Sequence, residues 1–224
     1  VVPLLGGHHG ANRMAEELAA ALGGRAAITT AGELALGFSF DDPPEGWRRE
    51  PGGAVKKVTA ALLAGDAVAL DDPLGLADWL RDSPAKFDSS AACKVAVSAN
   101  IETSADITLR PQVLALGVGC ERGAAAEEIS ALIAQTLAEA GLSPLAVACM
   151  ASVDLKMDEP ALRAVARQSG LPLRFFGAAR LEQETPRLAN PSDAVFRAVG
   201  CHGVAEAAAL ACTGADGALI VAKQ

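Results

Sequence analysis

Residues 113–141 read VLALGVGCERGAAAEEISALIAQTLAEAG. Val113 to Val118 is a nearly continuous apolar run, the pattern of a strand buried on both faces rather than one that alternates between core and water. The run enters the turn Gly117-Val118-Gly119-Cys120-Glu121-Arg122-Gly123, and a helix leaves it. Ile129, Ile133 and Leu137 keep helical spacing, Glu127 and Glu128 stand in the first turn where the helix dipole favours anions, and Gly141 ends the helix. A strand, a glycine turn and a helix in that order are one unit of an α/β architecture.

The same alternation repeats on either side. Toward the carboxy terminus the pattern predicts a strand at Leu145 to Val153, a helix at Pro160 to Gln168, a strand at Leu171 to Phe176, a helix at Val204 to Cys212 and a last strand at Ala218 to Val221. Toward the amino terminus, residues 1–5 read as a strand. The helix from Ala11 carries Met14, Leu18 and Leu22 on one face and is stopped by Gly23 and Gly24. Ala26 to Thr30 reads as a short strand, and the turn-rich stretch from Phe40 to Gly53 as loop. A helix on Val55, Val58 and Leu62 closes at Gly65, followed by a strand at Ala67 to Leu70, a short helix at Leu74 to Arg81 and a strand at Lys94 to Ser98. The polar segment Asn100 to Arg110 ahead of Pro111 marks a boundary between domains 1–110 and 111–224. The fold class expected is α/β: two α/β/α layered domains with mostly parallel or mixed sheets.

Composition narrows the function. The 224 residues are 51% hydrophobic, 21% charged and 4% aromatic, the profile of a globular chain. Alanine is about a fifth of the residues, so that percentage overstates the core material. A net charge of -8 argues against nucleic acid as a partner, since a phosphate-backbone binder shows a basic stripe. No stretch reaches the roughly eighteen apolar residues of a membrane helix. Five cysteines without CxxC spacing fit a reducing compartment, and the expected location is cytoplasmic. The chain starts at Val1 without a basic n-region or a small-residue cleavage pattern, which reads as the loss of a preceding segment rather than as a signal peptide.

Four stretches carry candidate chemistry, each with a plain structural alternative. The turn at 117–123 can aim amides and a helix terminus at an anion, or it can simply be tight. It is neither a dinucleotide fingerprint, which needs glycine where Arg122 stands, nor a Walker loop, which needs Gly-Lys-Ser/Thr where Gly123-Ala124-Ala125 stand. Arg122 tips it toward anion binding through a bidentate guanidinium. Gly6-Gly7-His8-His9-Gly10-Ala11-Asn12 offers two imidazoles as acid, base or ligand, of which at least one is expected to pack or cap locally. No zinc site is indicated, because the remaining histidine is His202 and no cysteine has ligand spacing. In Ser152-Val153-Asp154-Leu155-Lys156-Met157-Asp158-Glu159-Pro160 a buried strand runs into charges at its carboxyl end, where α/β sheets bind ligands. Lys156 is the functional candidate there; Asp158 and Glu159 read as caps of a helix with Pro160 at its first position. In Gly200-Cys201-His202-Gly203-Val204-Ala205-Glu206, Cys201 reads as a packing residue, and His202 is equally a packing or a functional one. The commonest hydrolase motifs, G-x-S-x-G and H-E-x-x-H, are absent.

Taken together, PLLGGHHGANRMAEELAAALGGRAAITTA at 3–31, LGVGCERGAAAEEI at 116–129, ASVDLKMDEPALRAVARQSGLPLRFF at 151–176 and VGCHGVAEAAAL at 199–210 resemble the cobalamin biosynthesis protein G family, the cobalt-precorrin-5A hydrolases. The carboxy-terminal domain of that family also occurs alone as CobE. Residues 33–108 match less closely, and family members carry an additional amino-terminal segment.

The resemblance implies a hydrolase that breaks a carbon–carbon bond in cobalamin biosynthesis. It opens the ring-A acetate lactone of a cobalt-containing tetrapyrrole and releases acetaldehyde to give cobalt-precorrin-5B. The alternative is a non-catalytic corrinoid carrier of CobE type. No cofactor is expected, since cobalt arrives with the substrate. The partner is a small-molecule corrinoid intermediate, not nucleic acid or membrane; a homodimer, or contacts with other cobalamin-pathway enzymes, are the protein associations to look for. The expected catalytic residues are His8, His9 and His202, with His8 or His9 as general base and the amides near Gly119 to Gly123 as oxyanion donors. The expected substrate contacts are Asn12, Gly119, Cys120, Glu121, Arg122, Gly123, Lys156 and Gly203, with the turns at 6–12, 117–123 and 200–204 sharing a cleft. A nucleotide-binding α/β protein is the competing reading of the glycine turns alone.

Overall fold

A computed structural model describes residues 11–26 and 31–224, with the side chains of 11–13 and 31–33 outside the description. The strands expected at 1–5 and 26–30 therefore lie wholly or almost wholly outside the described residues. The chain forms two compact units, Val1–Pro111 and Gln112–Gln224.

In the first unit the order is α1 (Ala11–Ala21), α2 (Ala31–Leu36), β1 (Trp47–Arg49), α3 (Val55–Leu63), β2 (Ala67–Asp71), α4 (Asp78–Arg81), β3 (Lys86–Phe87), β4 (Lys94–Val97) and β5 (Ile107–Pro111). The sheet order is β1-β5-β4-β2-β3, parallel except for the antiparallel β1–β5 pair. Val58 and Leu62 of α3 pack with Val68, Val95, Val97, Ile107 and Leu109 of the sheet in one core. Edge-to-face contacts join Phe38 to Phe40 and Trp79, and Trp47 to Trp79, within that core.

Four sequence expectations need correction here. On α1 the described buried residues are Ala15 and Ala19, while Met14, Leu18 and Leu22 are exposed; the small side chains, not the large ones, make the packed face. The stretch 40–53 is not all loop, since Trp47–Arg49 forms β1 against β5. The helix expected at 74–81 is confined to Asp78–Arg81, because the Asp72 carboxylate accepts the N–H groups of Leu76 and Ala77 and holds the preceding residues in a turn. Residues 107–110, within the segment read as polar, belong to the interior strand β5, every residue of which is buried. Arg110 is tolerated there because its guanidinium is fully engaged. It donates to Glu50 at 2.8 Å, to the carbonyls of Ser98 and Ile101 at 3.1 Å each, and to Asn100.

The second unit runs β6 (Leu114–Gly117), α5 (Ala126–Glu139), β7 (Val147–Val153), α6 (Pro160–Ser169), β8 (Leu173–Phe176), α7 (Ala178–Glu182), α8 (Asp193–Val199) and α9 (Ala205–Thr213). Its three strands are all parallel, in the order β6-β7-β8. Ile129 of α5 and Ala161, Leu162, Val165 and Ala166 of α6 pack with Val118 and Met150 in one core. Ala207 and Ala208 of α9 and Leu181 of α7 meet Ala151 and Val153 in another. Gly170, at φ 66°, ends α6 in the left-handed conformation that glycine adopts without strain.

The strand expected at 218–221 is not formed. The carbonyls of Gly214 and Gly217 accept from Arg187, and the Lys223 N–H is taken by Glu206, so side chains pin the chain on either side of 218–221, and no strand of the sheet pairs with it.

Candidate functional site

Parallel pairing puts the carboxyl ends of β6, β7 and β8 on one side of the second unit, and the turns that follow them build the site. The turn after β6 is fastened to β7 by the Val118 N–H on the Ala151 carbonyl at 2.8 Å and by the Ser152 hydroxyl on the Val118 carbonyl at 2.7 Å. Gly117 lets α9 lie directly on this strand end. A Cβ there would fall on the Ala205 carbonyl oxygen and within 2.9 Å of the Ala209 nitrogen. Gly119 faces Val204 at ordinary contact distance. The glycine turns at 117–123 and 203–205 thus converge.

Between them lies a cavity of about 1020 Å³. Its polar lining includes Glu121, Arg122, Lys156 and Glu206, and apolar walls come from β6, α5, α8, α9 and residues 218–222. Gly119, Cys120, Glu121, Arg122, Lys156 and Gly203 all line it.

Lys156 is largely buried, its ammonium 3.9 Å from a Glu159 carboxylate that is only 4% exposed. The other Glu159 oxygen accepts the Gly123 N–H at 3.2 Å. This corrects two expectations. Glu159 stands at the N-cap position of α6 but makes no side-chain cap bond, because its carboxylate serves the 117–123 turn instead. The Gly123 amide, in turn, already holds an anion supplied by the chain and is not free as an oxyanion donor. Arg122 is exposed, 3.3 Å from the Leu155 carbonyl and 3.8 Å from Asp158, so its guanidinium keeps donors for an incoming group. Burial pushes the Cys120 thiol up, an effect that Lys156 opposes and Glu159 reinforces.

His202 lies outside the cavity lining, one residue from Gly203. Its Nδ1 is 2.9 Å from Glu182 and its Nε2 3.5 Å from Asp193, and the ring stacks on Phe196 at 4.5 Å. The His202 N–H also donates to Glu182. Burial raises the Glu182 carboxyl, but the His202 backbone and ring bonds outweigh it and hold the group below the usual carboxylate range. His8 and His9 lie outside the described residues. Asn12 is in α1 of the first unit, with its side chain outside the description. Cys201 is buried beside the Gly203 carbonyl, as a packing residue should be.

Sequence reasoning passed over three contributors: Glu159, Glu182 and Glu206. Only Glu206 carried a usable signal, an acidic residue in the first turn of an otherwise apolar helix. It is buried and accepts four N–H bonds, from the backbones of Ala189, Asn190 and Lys223 and from the Asn190 side chain. Burial opposes its ionisation, and those bonds prevail, keeping its carboxyl below the usual range. Among the described residues no cluster of three or more His, Cys, Asp or Glu could hold a metal ion, and no helix is long and apolar enough to cross a membrane.

Residues 114–224 match the family described as cobalamin synthesis G C-terminus, and residues 1–33 its N-terminal counterpart. Protein CobE of Sinorhizobium sp is 48% identical over 120 residues, 54% of this chain and 78% of CobE. The chain belongs to the cobalamin biosynthesis protein G family. A second relative, the cobalt-precorrin-5A hydrolase of Priestia megaterium, is 31% identical over an alignment of 247 positions, covering all of this chain and 66% of the hydrolase, just under two thirds of its length. A crystal structure of CobE from the cobalamin pathway aligns with 46% of this chain and 72% of its own at 45% identity and a TM-score of 0.44. This member of the protein G family is therefore a cobalamin-biosynthesis protein of mixed α/β fold, and residues 114–224, which match the C-terminal family, lie in the unit that holds the cavity.

Proposed function

We propose that the chain carries the cobalt-precorrin-5A hydrolase reaction. One observation supports this over a carrier role: similarity to the hydrolase runs the whole length of the chain, whereas similarity to CobE takes in 54% of it. Water adds to the lactone carbonyl and loses a proton to a base, and the tetrahedral oxyanion collapses to the free ring-A acetate. The alkoxide left on the extruded carbon becomes acetaldehyde as its bond to the ring breaks, with the electron pair staying on the macrocycle. The step consumes one water, is redox-neutral and needs no cofactor; cobalt arrives in the substrate.

In this reading the cavity of the second unit takes the corrinoid intermediate. Arg122 and Lys156 meet its carboxylates with charge-assisted bonds, and the amides of the 119–122 turn face the developing oxyanion. His8, His9 and His202 are the candidates for the general base, and Glu182 holds the His202 ring. Five free cysteines accord with a cytoplasmic reaction.

Incubating the full chain with cobalt-precorrin-5A tests the proposal. Acetaldehyde should appear, read by coupled oxidation of NADH, together with the matching mass loss in the corrinoid. Corrinoid binding without acetaldehyde would favour the CobE-type carrier, the reading supported by the 48% identity to CobE over 120 residues.

A further inference from the structure

Glu206 gathers donors from separate parts of the chain. The Ala189 and Asn190 N–H groups reach one carboxylate oxygen at 2.8 and 3.1 Å, and the Asn190 side chain and the Lys223 N–H reach the other at 3.1 and 2.9 Å. A carboxylate buried to 4% exposure is costly to retain unless its lone pairs are filled, and these four bonds fill them. They also tie α9 to two segments, the turn ahead of α8 and residues 218–224, and the second of these forms one wall of the cavity.

At its other end that wall is held by Arg187, on the carbonyls of Gly214 (3.0 Å) and Gly217. Between the two anchors the chain bends at Ile220 and Val221; Leu219, Val221 and Ala222 are half-buried, Ile220 is exposed, and the segment lines the cavity without pairing in the sheet. Lys223 and Gln224 continue the lining past the Glu206 anchor.

We infer that Glu206 is a positioning residue that latches residues 218–224 in place as the apolar wall of the cavity. The inference rests on the reading that this cavity takes a multi-carboxylate macrocycle. Lys156 and Arg122 then meet the carboxylate rim, while Leu219 and Val221 cover the flat apolar face. Glu206 acts through the segment it holds and has no part in the chemistry.

Glu206→Gln tests this, because the amide keeps one acceptor oxygen and points an NH₂ group at donors that the other oxygen used to accept. In the ligand-free full chain, amide hydrogen exchange at Lys223, whose N–H Glu206 accepts, should rise roughly tenfold or more, with α6 and β8 unchanged. Affinity for uroporphyrin III, an octacarboxylate tetrapyrrole probe followed by fluorescence, should fall about tenfold. The pair Leu219→Ala with Val221→Ala should lose affinity comparably with the latch intact, and it tests the wall even where E206Q does not fold. Combining all three changes should cost no more than the larger single effect. Unchanged exchange in E206Q overturns the latch, and additive losses overturn its action through the wall. A wild-type protein that does not bind the porphyrin overturns the cavity reading and with it the ligand role of Glu206, while the exchange result still judges the latch.

Discussion

Replacing Gly117 by alanine puts a methyl group where the Ala205 carbonyl oxygen already lies, with the Ala205 carbonyl carbon at 2.7 Å and the Ala209 nitrogen at 2.9 Å. All three are backbone atoms of the first turns of α9, so no side chain can rotate away; the helix and β6 must separate. Overpacking a core by a methylene costs about 1–3 kcal/mol when side chains can adjust, and here the upper end, about 3 kcal/mol, is expected. With a urea m-value of about 1.5 kcal/mol/M, that loss lowers the midpoint of the second unit by about 2 M. Both tryptophans, Trp47 and Trp79, stand in the first unit, so their fluorescence does not follow this transition; far-UV circular dichroism or hydrogen exchange on β6 to β8 does. Gly119→Ala is the control. Its Cβ would meet Val204 at 3.6 Å, an ordinary contact, and should cost less than about 1 kcal/mol. Equal midpoints for G117A and the wild-type protein would refute the claim that α9 rests on the glycine backbone, and with it the account of how the two turns converge.

Leu162, fully buried in the core between α6 and the sheet, should lose about 2–5 kcal/mol on Leu162→Ala, measured by denaturant unfolding of the second unit. Arg110→Ala strands the carbonyls of Ser98, Asn100 and Ile101 and removes the partner of Glu50. A loss of about 3–5 kcal/mol in the first unit is expected, visible in tryptophan fluorescence. Because the Glu206 carboxyl is held below its ordinary value in the folded chain, its contribution to stability is complete above the unfolded carboxylate pKa of about 4.3 and is lost as pH falls through the folded value. Acid titration of unfolding stability should therefore show a smaller decline in E206Q than in the wild-type protein, and parallel curves would contradict the bond pattern.

What could be read from the chain follows from where the stabilising information sits. α5, β7 and α6 were legible because each is long enough for apolar spacing to speak and because Gly141 and Pro160 mark helix limits in ways that backbone sterics dictate; β6, only four residues, was legible from the unbroken apolar run that leads into its glycine turn. β1, β3 and α7 escaped because two to five residues carry no period. The interior strand β5 escaped for a different reason: Arg110 reads as a surface residue, and only bonds to carbonyls 9 to 12 positions earlier and to Glu50, 60 positions earlier, make it a core one. The error at 218–221 is the converse. The local propensity is that of a strand, but Arg187 and Glu206 fix the chain on either side of it through contacts distant in sequence, and no strand of the sheet pairs with it.

The site shows the same division and adds an electrostatic point. The chain carries a net charge of -8, yet the charged residues lining the cavity are Arg122, Lys156 and Lys223 against Glu121 and Glu206. Four N–H donors stabilise the Glu206 charge without cancelling it, and the lining still counts three cations against two carboxylates. Charges beyond about 8 Å are screened at physiological ionic strength, so a carboxylate at the cavity responds to this local excess more than to the distant surplus of acidic groups. Sequence could nominate Arg122 as a cation in a glycine turn and Lys156 as a cation at the carboxyl end of a strand, because both settings are visible in one dimension. It could not reveal that Glu159 occupies the Gly123 amide, or that Glu206 is engaged by four amide donors, since both depend on contacts between separate segments. An acidic protein and a polyanionic ligand are compatible here because three cations line the cavity against two carboxylates, one of which, Glu206, is turned to the chain's own donors.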